Sequence, residues 1–81
     1  MEIAVFMNLV SKGFDVSFNY RDVFYTISLI EDADSNRKYG IGGDNGFQAD
    51  FDSIDAISDF YLDDKQIKEI VSALNEDEVF Y

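Results

Sequence analysis

The sequence predicts a small α+β domain in which one helix precedes a three-stranded antiparallel sheet and two helices follow it. Apolar residues recur at helical spacing near both ends of the chain, and they alternate with polar residues in the middle. Five Tyr and eight Phe supply enough apolar area for a core in spite of the charge. We expect one compact domain over residues 1–75, with the helices in a single layer on one sheet face, and an acidic and aromatic tail over residues 76–81.

The first helix is predicted over residues 2–12. Gly13 follows it and suits a left-handed C-cap. Four apolar residues have the i, i+3, i+4, i+7 spacing of an amphipathic helix, namely Ile3, Phe6, Met7 and Val10.

Two strands and a short polar break are predicted next. Residues 14–20 alternate aromatic or β-branched side chains with polar ones, and residues 23–29 form a second such run. The dipeptide Arg21-Asp22 separates them, which indicates a hairpin.

A third, short strand is predicted at Tyr39 and Ile41, after a polar turn over residues 31–38. Residues 42–46 contain Gly, Asp and Asn, which tolerate positive φ, so a turn is expected there. The three strands form an antiparallel meander.

Two helices are predicted after the sheet. The first begins near Asp52 and has two to three turns, with Ile54, Ile57 and Phe60 or Tyr61 on its apolar face. The second begins at Asp63, where Asp63 with Gln66 matches a capping box and Leu62 with Ile67 matches a hydrophobic staple. Its buried face comprises Ile67, Ile70, Val71 and Leu74.

The composition disfavours most enzyme classes. The chain has no Cys and no His, so it lacks a thiolate metal site, a disulfide and the commonest general base. We expect no enzyme activity, no cofactor and no metal. The apolar stretch 3–10 is too short for a membrane span and follows Glu2, so a cytoplasmic protein is expected.

Two motifs resemble ligand sites and fail on inspection. Asp32, Asp34 and Asn36 match the first positions of a calcium loop, but Arg37 and Gly43 replace its required Gly and bidentate Glu. The four glycines at 40, 42, 43 and 46 do not follow the spacing of a phosphate-binding loop. Both segments are interpreted as turns.

The charge distribution is the most informative functional feature. The net charge is -11, and no Lys, Arg or His lies between Tyr39 and Asp64. On a helix, Asp52, Asp55 and Asp59 would share one face, and Asp63 would extend the row to about 16 Å. Such a row of carboxylates can imitate nucleic-acid phosphates. The alternative is a solvated outer face in which the first acids favour the helix dipole.

Aromatic residues provide the second functional clue, because one small core cannot bury all of them. Tyr beside carboxylates suits the binding of Arg and Lys, so Tyr25 and Tyr61 are candidate anchors. The alternative is that a helix or the tail covers them. Candidates for exposure are Tyr20, Phe24, Tyr25, Tyr61, Phe80 and Tyr81.

In size, charge and element order the chain resembles small anti-CRISPR proteins from phages of Gram-positive bacteria, some of which mimic DNA to block the protospacer-motif site of the nuclease. Several local segments are similar to short proteins of phages and their Firmicute hosts. The resemblance implies a phage-infected or prophage-carrying bacterial host, and it transfers no catalytic residue. The segments are Phe18-Asn19-Tyr20, Tyr25-Thr26-Ile27-Ser28, Lys38-Tyr39 and residues 51–70 from Phe51-Asp52-Ser53-Ile54 to Lys65-Gln66-Ile67-Lys68-Glu69-Ile70.

The sequence therefore leads to a main hypothesis and alternatives. The main one is an inhibitor, monomeric or homodimeric, that binds a basic nucleic-acid-binding protein such as a CRISPR effector and contacts neither nucleic acid nor membrane directly. The alternatives are an interaction module that docks through exposed aromatics, and a carboxylate-only enzyme or metal binder. The expected partner-binding residues are Asp50, Asp52, Asp55, Asp59, Asp63, Asp64, Tyr25 and Tyr61.

Overall fold

The computed structural model describes residues 1–31, 34 and 36–81, and it is an α+β fold. A helix comes first, then most of an antiparallel sheet, then further helices. The elements in chain order are α1 (Ile3–Ser11), β1 (Val16–Tyr20), β2 (Val23–Glu31), β3 (Arg37–Gly43), β4 (Gln48–Phe51), α2 (Ile54–Asp59), β5 (Tyr61–Leu62), β6 (Lys65–Gln66), α3 (Ile67–Ala73), a 3-10 helix (Glu76–Glu78) and β7 (Val79–Phe80).

The main sheet has five strands, where the sequence predicted three. Their order is β4-β3-β2-β1-β7, all neighbours are antiparallel, and β5 pairs with β6 in a separate hairpin. The two added strands lie at the edges. β4 carries Gln48 and Asp50, which have low strand propensity, and β7 has only two residues. Neither strand has a period-two pattern long enough to predict.

The sheet has a covered inner face and an open outer face. On the inner face Phe18 pairs with Tyr25, and Ile27 pairs with Ile41. The inner face contributes to one core cluster with helical residues, namely Phe6 and Val10 of α1, Ile57 of α2, and Ile67, Ile70 and Val71 of α3. On the outer face Ser17 pairs with Thr26, and Ser28 pairs with Gly40. The small polar side chains of Ser17, Thr26 and Ser28 are half-buried on this face.

The β1–β2 hairpin closes through two residues in the left-handed region. Arg21 has φ 50° and Asp22 has φ 64°, and Tyr20 pairs with Val23 on either side of them. Positive φ at both central positions defines a type I′ turn, which matches the twist of paired strands. The predicted hairpin is confirmed.

We expect Asp22→Gly to raise the free energy of unfolding by about 0.5–1 kcal/mol, because glycine adopts positive φ without steric cost. Thermal or urea unfolding measures this change. Asp15→Gly removes the same charge at a residue without positive φ, and it is expected to lower stability. If both variants were destabilised equally, strain at Asp22 would not be the cause.

The predicted second helix is shorter than expected and begins later. α2 starts at Ile54, and the Ser53 hydroxyl caps it by accepting a hydrogen bond from the Ala56 N–H at 3.0 Å. Asp52 therefore lies before the helix. Phe60, which follows α2, has extended backbone at φ -67° and ψ 137°.

The predicted start of the third helix at Asp63 is wrong. Asp63 has φ 66° and lies in the turn between β5 and β6, and α3 begins at Ile67. The Gln66 amide donates to the Asp59 carbonyl at 3.1 Å instead of forming a capping box. The hydrophobic-staple assignment fails with it. The predicted buried face of this helix is confirmed for Ile67, Ile70 and Val71.

The C-terminal segment contributes to the sheet. Val79 is buried, and β7 pairs with β1 by placing Val79 opposite Phe18. Residues 76–81, expected as a tail, thus include the 3-10 helix and an edge strand. At the other end of the fold, Gly13 has φ 95° directly after the C-cap of α1, as predicted. Among the described helices, none combines the length and apolar character needed to cross a membrane.

Candidate protein-binding surface

The six aspartates expected to bind a partner lie on four different parts of the fold, and all are exposed. Asp50 lies on β4 and Asp52 in the loop that follows. Asp55 and Asp59 lie on α2, and Asp63 and Asp64 form the β5–β6 turn. The predicted straight helical row is wrong, because α2 ends at Asp59 and the chain is extended at Phe60.

Three of these aspartates have cationic partners within the protein. Arg21 reaches Asp63 Oδ2 at 2.7 Å through Nη1 and Asp64 Oδ2 at 2.8 Å through Nη2. Lys68 Nζ lies 2.8 Å from Asp59 Oδ1, which raises the pKa of Lys68. Sequence reasoning missed these pairs because the cations lie outside residues 39–64. The fold brings them to one end of the acidic segment.

Tyr20 completes the contacts around Arg21. Its hydroxyl donates a hydrogen bond to Asp64, and the Arg21 guanidinium lies 5.5 Å from the centre of the Tyr20 ring. The hydrogen bond from Tyr20, aided by the charge of Arg21, lowers the pKa of Asp64 below its ordinary 3.8. The same bond raises the pKa of Tyr20. These contacts join the β1–β2 turn to the β5–β6 turn.

We expect Tyr20→Phe to raise the pKa of Asp64 toward 3.8, because the main group that lowers it is removed. A lowered pKa in the folded state stabilises the fold above pH 3.8 and loses that effect as the pH falls through the folded value. NMR titration of the Asp64 carboxyl carbon measures the shift. Tyr61→Phe, which removes a hydroxyl elsewhere, should leave it unchanged. An unaltered Asp64 pKa in Tyr20→Phe would contradict the assignment.

The other three aspartates, Asp50, Asp52 and Asp55, form no ion pair with any described residue. We call them the acidic patch. Asp50 and Asp52 are two residues apart in extended or loop backbone, a separation of about 7 Å in a strand. Asp55 follows in the first turn of α2. Along the chain, the acidic patch therefore extends from β4, through the loop that follows, to the first turn of α2.

The two candidate tyrosines have different environments. Tyr61 is 58% exposed on β5. Tyr25 lies on the inner face, and the centre of its ring is 5.9 Å from the ring centre of Phe18 and 6.3 Å from that of Phe47. Tyr25 is partly buried and packs in the core periphery, so its main contacts are structural.

A different aromatic pair lies on the outer face. The ring centres of Phe24 and Phe80 are 6.0 Å apart, and the two residues are 36% and 51% exposed. The sequence indicated both as candidates for exposure but not their contact, since β7 was not predicted. Their position on the outer face leaves an apolar surface beside β1.

The outer face also contains a groove of about 340 Å³ across β2, β3 and β4. Sequence reasoning missed it. The sequence feature that could have predicted it is the pair Gly40 and Gly42, which lie at alternate positions of one strand. Both therefore leave the same sheet face without a side chain. The groove is lined by Thr26, Ser28, Ile30, Gly40, Ile41, Gly42, Gln48 and Asp50.

Comparison with known proteins gives no family assignment, because no protein-family model, curated protein or solved structure matches the chain. In the described part of the chain, no group of three or more acidic side chains is arranged to hold a metal ion. The calcium-loop motif at Asp32, Asp34 and Asn36 includes Asp32, which lies outside the described residues.

Proposed function

We propose that this chain is an inhibitor that binds the basic surface of a nucleic-acid-handling protein, such as a CRISPR nuclease or similar defence factor, in place of its nucleic acid. The acidic patch is the observation that supports the proposal. Its three carboxylates are exposed and have no ion pair with the described residues. A cationic partner can therefore bind them without displacing an internal cation.

The unequal distribution of internal cations narrows the proposed contact surface. Asp59, Asp63 and Asp64 already face Lys68 or Arg21. A partner that used them would compete with these contacts, although each exposed pair is weak. The first contacts are therefore assigned to the acidic patch, and Tyr61, which is exposed two residues before Asp63, is assigned to the rim of the contact surface. Electrostatic steering by a net charge of -11 would accelerate encounter with basic proteins.

Capture from a nuclease-treated bacterial lysate on the immobilised chain tests the proposal. We expect nucleic-acid-binding proteins to be retained at low salt and released as the salt concentration rises, since screening weakens contacts between exposed charges. The control is a chain with Asp50, Asp52 and Asp55 changed to Asn. Equal retention by the control, or retention that is insensitive to salt, would contradict the proposal.

The exposed Phe24–Phe80 pair favours a second candidate, an interaction module that docks through aromatics without nucleic-acid mimicry. Its 6.0 Å ring contact lies on the open sheet face, where a partner can cover both rings. Under this alternative, Phe80→Ala removes binding and the Asn variant of the acidic patch does not. The inhibitor proposal expects the opposite order of effects.

A further inference from the structure

The groove on the outer sheet face is open above Gly42, whereas the space above Gly40 is occupied by neighbouring side chains. A methyl group placed on Gly40 would lie 2.7 Å from Ile30 Cδ1 and 3.3 Å from Asp50 Oδ1. Both side chains therefore lean over Gly40. Gly42, in contrast, leaves open space, since a methyl group there would meet only the Phe47 carbonyl at 3.9 Å. The groove has an apolar end at Ile30, a backbone floor and a carboxylate above the floor.

The polar groups of the groove suit a donor-rich cation. The Thr26 hydroxyl is engaged with Ser17 at 2.8 Å. Neither the Ser28 hydroxyl nor the Gln48 amide has a side-chain hydrogen bond within the described part of the protein. Asp50 supplies negative charge, and Lys38, which shares this face, forms no ion pair with it in that same part. Among the residues that line the groove, Asp50 carries the charge, so the lining favours a cation over an anion.

We infer that the groove binds an arginine side chain of the basic partner. The guanidinium would donate to the Asp50 carboxylate, and the aliphatic stem would lie on the backbone of Gly42 beside Ile30. Arginine is favoured over lysine because its planar fork pairs with a carboxylate and its weakly hydrated face lies flat on a peptide surface. A second copy of this chain is disfavoured as the occupant, because both copies carry a net charge of -11.

The inference rests on the proposed function for the identity of the partner, but the groove itself can be tested alone. The probe is the peptide acetyl-Gly-Arg-Gly-amide, and the control peptide replaces Arg with citrulline, which keeps the shape and removes the charge. Titration of the ¹⁵N-labelled chain should give saturable amide shifts at Gly40, Gly42 and Gln48 with the arginine peptide and none with the citrulline peptide. A third peptide with Lys in place of Arg is expected to bind several-fold more weakly than the arginine peptide.

Gly42→Val tests whether the groove is needed. The valine fills open space at a position in a strand that favours β-branched residues, so the variant should fold at least as stably as the parent chain. It should lose the saturable shifts. Asn19→Val adds a similar side chain to the same sheet face outside the groove and should keep them.

Asp50→Asn tests the carboxylate, with Asp77→Asn as its charge-matched control, because Asp77 is exposed in the 3-10 helix that leads to the opposite edge of the sheet. We expect Asp50→Asn to weaken peptide binding about tenfold, because a charge-assisted hydrogen bond is lost, and Asp77→Asn to have little effect. The inference would be overturned if the amide shifts were spread over residues near many carboxylates and were unchanged in Gly42→Val. Such a result would indicate unspecific electrostatic attraction. If the arginine peptide binds in the groove but the immobilised chain retains no nucleic-acid-binding protein, the proposed function is refuted and the inference about the groove is not.

Discussion

Changing Asp52 and Asp55 together to lysine is expected to reduce affinity for the retained nucleic-acid-binding partner by about 100-fold or more, because like charges would then face each other. Both residues are exposed, so the fold should be retained. Most of the loss should appear in the association rate at low salt. Surface plasmon resonance at several salt concentrations measures both rates, and circular dichroism confirms folding.

The matched control changes Glu76 and Asp77 to lysine. It has the same net charge as the Asp52 and Asp55 variant, but its substitutions lie in the 3-10 helix that leads to β7, the sheet edge opposite β4. We expect only a few-fold loss of affinity from the general field. Equal losses in the two variants would show that total charge, and not the acidic patch, determines binding.

Phe18→Ala is expected to lower the free energy of unfolding by about 3–5 kcal/mol, because it leaves a cavity in the core. Phe18 is fully buried on the inner face, between Tyr25 on one neighbouring strand and Val79 on the other. A domain of this size has a total stability of the order of 5 kcal/mol. The variant should be largely unfolded near 37 °C, which thermal unfolding measures.

Phe80→Ala provides the comparison on the opposite face. Phe80 lies on β7, which also pairs with β1, but it is 51% exposed and contacts Phe24. We expect a loss of about 1 kcal/mol or less, since little apolar area returns to water. Similar losses at Phe18 and Phe80 would contradict the assignment of a covered and an open sheet face.

The sequence predicted those elements in which the hydrophobic pattern is long. Helix α1, the β1–β2 hairpin and the buried face of α3 follow from periodicity over several residues. β4 and β7 could not be predicted, because four residues with Asp50 among them, and two residues, carry too little pattern. The capping-box signal at Asp63 failed because tertiary contacts with Arg21 and pairing of β5 with β6 hold that residue at positive φ.

The candidate surface was predicted in composition but not in arrangement. The sequence shows which carboxylates lack a nearby cation, whereas the fold decides which of them meet a distant one. Arg21 and Asp63 form a hydrogen bond although they are more than 40 residues apart in the chain. Patterns among neighbouring residues cannot predict such a pair. The groove depends on the register that sets Gly40 between Ser28 and Asp50. In the sequence, the spacing of Gly40 and Gly42 is the feature that indicates the groove.

Competition with nucleic acid is the most direct test of the proposed mimicry. A fluorescent DNA duplex is bound to the retained partner, and fluorescence anisotropy follows its release as this chain is added. We expect complete displacement, a midpoint that rises with the DNA concentration, and a midpoint about 100-fold higher or more for the chain with Asp52→Lys and Asp55→Lys. A ternary complex, in which the duplex stays bound while this chain binds the same partner, would contradict the proposed function.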